Sequence, residues 1–147
     1  MAETALNPDR KSKLGELRGR VRAQIAMLVA IFLLGMAVAL IGDREATWAK
    51  VSKGILLGLH VLVAIGLIVG AILTMRIVMK LGGKLLRTAR VASLGVGVGV
   101  IGGLLTLGAP WGDLWSYVMA VGFIVAFLFN GFLYMQTVSA AARNTGI

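Results

Sequence analysis

Four apolar runs, separated by polar and charged stretches, organise the chain: residues 23–41, 55–75, 91–109 and 117–137. None of them contains Asp, Glu, Lys or Arg. Each is close to the roughly 20 helical residues that cross a ~30 Å hydrocarbon core. The pattern predicts an all-α polytopic membrane protein, a four-transmembrane-helix bundle. It forms one membrane domain over residues 1–147, with a leader at 1–22 and a tail at 138–147.

The third run carries Gly95, Gly97, Gly99, Gly102 and Gly103, five glycines within nine residues. In water each would weaken a helix by about 1 kcal/mol. In lipid an unpaired backbone amide is costlier than a glycine, so the helix is kept. Gly95, Gly99, Gly102 and Gly103 share one helical face, and such a face lets another helix approach backbone to backbone. In the fourth run Met119, Gly122, Ala126, Asn130, Leu133 and Thr137 also share a face. Gly95, Gly99, Gly102, Gly103, Gly122 and Ala126 are therefore the expected helix-packing residues, in the manner of a glycine zipper.

The connecting segments carry patterns of their own. Leu14, Leu17, Val21 and Ile25 recur at helical spacing, with Lys11, Arg18 and Arg22 on another face, which predicts an interfacial helix leading into the first span. Asn7-Pro8-Asp9 is its expected start. Trp48, Val51 and Ile55 predict a short helix lying on the membrane surface after Asp43, Arg44 and Glu45. Trp48, Trp111 and Trp115, with Tyr117, read as an aromatic belt at one interface. Gly82-Gly83 marks a tight turn between spans two and three. Around it Arg76, Lys80, Lys84 and Arg87 are expected to snorkel and contact anionic lipid.

The net charge is +9, with 15 basic and 6 acidic residues. Twelve basic residues lie before span one, between spans two and three, or after span four, against three between spans one and two. This positive-inside asymmetry places both termini in the cytoplasm, N-in/C-in, in the cell (plasma or inner) membrane. It speaks for topology rather than for nucleic-acid binding. A rival reading takes Ala37-Val38-Ala39 as a signal-cleavage site after Ala39; the apolar run continues through Leu40 and Ile41, which favours an uncleaved span.

Reactive chemistry is sparse. The chain has no cysteine and one histidine, which excludes disulfides and thiolate metal sites. No catalytic constellation and no metal-ligand cluster is evident, so no enzyme is expected. The polar intramembrane candidates are His60, Thr106 and Asn130, with Thr74 and Ser93 beside them; such residues are costly in lipid. His60 reads either as a neutral side chain hydrogen-bonded to a hydroxyl such as Thr106 or to a backbone carbonyl, or as an axial ligand of haem b with Met119 or a second subunit's His60 opposite. The expected function is a small non-catalytic membrane protein acting through helix association, as an accessory subunit or homo-oligomer. The alternatives are a channel or transporter formed by oligomerisation, lined by Asn130, Thr74 and Thr106, and a haem- or quinone-associated redox subunit.

Overall fold

The computed structural model describes residues 8–41, 46–106 and 110–142. It is all-helical, with α1 at Pro8–Ile41, α2 at Thr47–Leu81, α3 at Gly83–Thr106 and α4 at Gly112–Ala142. Each helix is long and apolar enough to cross a membrane, so the chain is a multi-pass membrane protein by length and composition. The expected start at Asn7, the charges Asp43, Arg44 and Glu45, the end of the third run at 107–109 and the tail at 143–147 lie outside the described residues.

The helices run up and down in a ring. Within the described residues α1 packs on α2 and α4, and α3 packs on α2 and α4, while the diagonal pairs stand farther apart. The turn from α2 to α3 is a single residue. Gly82 has φ 69° and Gly83 φ 62°, a left-handed geometry that glycine adopts without a Cβ penalty. The Gly82 N–H donates to the Val78 carbonyl at 2.8 Å and closes the last turn of α2.

The buried positions follow a heptad-like seam. On α1 they are Leu14, Leu17, Val21, Gln24 and Leu28; on the C-terminal half of α2, Leu67, Ala71, Thr74 and Val78. Steps of three and four keep one stripe facing the bundle. Two apolar layers result. One joins Leu17, Val21, Val78, Ala89 and Leu133, and the other Leu28, Leu67, Val96 and Ala126. Toward the opposite end, Phe32 of α1 stacks on Phe123 of α4 with ring centroids 5.6 Å apart.

Two sequence expectations are corrected here. The leader is not a separate helix on the membrane surface: α1 is continuous over 34 residues, and Leu14, Leu17 and Val21 pack into the bundle. Its apolar stripe meets other helices rather than lipid. Likewise Trp48, Val51 and Ile55 belong to the first turns of the 35-residue α2, where all three are exposed. No break separates them from the span, because no Gly–Pro or Gly–Gly punctuation interrupts the chain between Thr47 and Leu81.

Candidate functional site

The closest approach in the bundle is between α3 and α4. A Cβ on Gly95 would lie 2.6 Å from the Ala126 backbone nitrogen, and one on Gly102 would lie 2.6 Å from that of Met119. A Cβ on Gly122 would collide with the Gly99 backbone. At these three positions any side chain forces the helices apart. Gly99 itself differs, since its Cβ would stand 3.5 Å from Phe123 N, an ordinary contact, and at Gly103 the nearest atom is the flexible Met119 Sδ at 3.3 Å. Gly97 faces open space. Ala126 is fully buried.

The α1–α2 contact is built differently, from side chains laid into glycine notches. Met27 Sδ would lie 3.3 Å from a Cβ on Gly66, Gln24 Nε2 would lie 3.2 Å from one on Gly70, and His60 Cε1 would lie 3.5 Å from one on Gly35. His60 thus lies against α1, and its Nδ1 is buried with no hydrogen-bond partner. The expected Thr106 partner is not met: the Thr106 hydroxyl donates to the Gly102 carbonyl of its own helix at 2.9 Å. Met119 lies toward Gly103 on α3, and α2 and α4 are diagonal, so the chain does not bring His60 and Met119 to face one another. Among the described residues no group of three or more His, Asp or Glu could hold a metal ion.

Between the two apolar layers sits a polar one, with one residue from each helix. Gln24 of α1, Thr74 of α2, Ser93 of α3 and Asn130 of α4 line one crevice, walled by Ala71, Ala89 and Ala92. Gln24 and Thr74 are 3 % exposed and Asn130 is 1 % exposed. The Asn130 Nδ2 donates to the Ala126 carbonyl at 2.8 Å. Its Oδ1, Gln24 Nε2 and Thr74 Oγ1 are buried without a partner, each costing about 1–3 kcal/mol if left so. Thr74 and Asn130 are therefore interior to one chain rather than placed to line a pore between chains. The hydrophobic pattern does not point to Gln24, because Ile25 continues the same seam one residue on; the step of three from Val21 is the signal that selects it.

The basic hairpin is displayed as the sequence suggested in one respect: Arg76, Lys80, Lys84 and Arg87 are all exposed. Glu16 and Arg20 form a salt bridge at 2.8 Å, a surface pair of little energetic weight. On the N-terminal half of α2, Gly54 and Gly58 stand one turn apart, and nothing lies within 4 Å of where a Cβ would be on either. Their neighbours Ile55, Leu57, Leu59 and Leu62 are exposed. No protein-family model matches the chain, and no curated protein or solved structure matches it either.

Proposed function

We propose that the chain is a non-catalytic membrane subunit that works by association, with a second copy seated on the N-terminal half of α2. The observation that carries this reading is the uncovered Gly54–Gly58 pair within an exposed apolar face. Small residues four apart let helix backbones meet in lipid, where the hydrophobic effect gives helices no reason to associate. Gly95, Gly102 and Gly122 are already covered inside the chain, so the α3–α4 contact holds the bundle together. Of the two uncovered pairs one turn apart among the described residues, Gly15–Gly19 stands among charged residues, and Gly54–Gly58 alone lies in an apolar face. A pair repeated on one face suits a two-fold interface, in which the same patch meets itself.

The orientation that accompanies this reading is N-in/C-in in the cell membrane. It is supported by the twelve-to-three division of basic residues between the two sides. Arg76, Lys80, Lys84 and Arg87 then meet anionic headgroups, each contributing about 1 kcal/mol near the surface. This adds a lipid partner to the protein one.

The mass of the detergent-solubilised chain tests association. The wild type is expected at twice its 15.5 kDa once bound detergent is subtracted. Gly58→Leu should be a monomer, because a side chain there keeps the backbones apart. Gly131→Leu, at a glycine that is also uncovered but stands alone on α4, should remain a dimer. A monomeric wild type contradicts the reading. A stable complex with a different membrane protein in place of the second copy would replace the homodimer by a heteromeric subunit.

A further inference from the structure

The three unpartnered atoms of the polar layer form a matched set. Gln24 Nε2 can only donate, Asn130 Oδ1 can only accept, and Thr74 Oγ1 can do either. The orientation of the Asn130 amide is fixed by its own helix: Nδ2 donates to the Ala126 carbonyl, which cannot donate in return, so Oδ1 is left to the crevice. No Asp, Glu, Lys or Arg lines the crevice. An ion there would have to shed its hydration among neutral groups, at a cost far above what they return. The occupant these groups suit is therefore uncharged, small, and both donor and acceptor.

The amides do not pair directly. Gln24 Nε2 lies against Gly70 of α2, and neither it nor Asn130 Oδ1 has a hydrogen-bond partner. A bridging water spans two hydrogen bonds, about 5–6 Å between the outer heavy atoms. We propose that the polar layer is an occluded hydration site holding one water molecule. The water accepts from Gln24 Nε2 and donates one proton to Asn130 Oδ1 and the other to Thr74 Oγ1. Three hydrogen bonds is the usual complement of a buried water.

In this packing the crevice leaves no gap wide enough for a water molecule, so a side chain must give way to admit one. Gln24 is the group that yields. It is long and unbranched, and its amide lies over Gly70, where no side chain holds it. Above and below, the layers Leu28, Leu67, Val96, Ala126 and Leu17, Val21, Val78, Leu133 close the site, so the water is isolated from bulk on both sides.

Water-edited solid-state NMR of the full chain in lipid bilayers reads this directly. Magnetisation should pass from water to the Gln24 and Asn130 side-chain amides, and not to the Leu28 and Leu133 methyls of the flanking layers. Thr74→Val should diminish the transfer, and Thr74→Ser, which keeps the hydroxyl, should retain it. If Thr74→Val does not fold, the wild type and Thr74→Ser still decide the matter. Absence of transfer to both amides in the wild type would overturn the site in favour of direct amide pairing. Equal transfer to the leucine methyls would overturn it too, in favour of an open aqueous path.

Discussion

Gly122→Leu is expected to abolish the folded bundle, the largest effect of any single substitution considered. The Cβ alone collides with the Gly99 backbone, and backbone cannot move aside by changing rotamer. Overpacking of a core usually costs about 1–3 kcal/mol when side chains can adjust. Here α3 and α4 must separate along their length, which also uncovers Gly95 and Gly102 and the Ala126 and Met119 backbone against them. We expect a loss of at least about 3 kcal/mol, seen as failure to recover a monodisperse species after solubilisation. Gly97→Leu, at a position facing open space, should be recovered like the wild type. Gly99→Ala should be nearly silent, because its added methyl meets Phe123 N at an ordinary 3.5 Å. Equal recovery of Gly122→Leu and Gly97→Leu would show that α3 and α4 do not meet through their glycines.

Leu17→Asp should be nearly as damaging, and it tests where the leader lies. Leu17 is 0 % exposed and packs in the layer with Val21, Val78, Ala89 and Leu133. Truncation of a buried leucine alone costs about 2–5 kcal/mol, and an unpaired carboxylate adds its desolvation. Thermal unfolding in detergent should shift strongly downward, while Ser12→Asp, on an exposed position of the same helix, should leave it unchanged. A leader lying on headgroups would give the opposite pattern. Leu17→Asp would then weaken lipid binding and leave the melting of the bundle unaltered.

The sequence made some features legible and not others, for reasons that can be named. The four helices follow from apolar runs without charge, since lipid demands closed backbone hydrogen bonding. The seam of α4 is likewise readable: Gly122, Ala126, Asn130, Leu133 and Thr137 repeat at steps of three and four, and the structure buries all five. On α1 the same rule competes with composition. Leu14, Leu17 and Val21 can be continued by Ile25 or by Gln24, and hydrophobicity chooses the isoleucine where the structure chooses the glutamine.

Amphipathicity alone also cannot say whether an apolar stripe meets headgroups or another helix, because both are apolar partners for Leu17. The polar layer required a tertiary fact that no single helix contains. Gln24, Thr74, Ser93 and Asn130 fall at one level only once the helices are set antiparallel with one-residue precision at Gly82. The expected His60–Thr106 contact fails for a related reason: α2 and α3 are neighbours, but His60 turns toward Gly35 of α1 and the Thr106 hydroxyl bonds its own helix. Spacing gives depth in the membrane but not which neighbour a side chain faces.

The central claim, association through α2, is tested most directly by a single cysteine in native membranes. The chain contains no cysteine, so a disulfide formed by Gly58→Cys can only join it to another molecule. Disulfide geometry requires Cα atoms within about 7 Å, which a backbone-to-backbone contact at Gly58 provides. Mild oxidation should yield a species at twice the chain's 15.5 kDa that reductant returns to monomer, and Gly97→Cys treated alike should stay monomeric. A Gly58→Cys chain that remains monomeric, or that cross-links no better than Gly97→Cys, would contradict the claim.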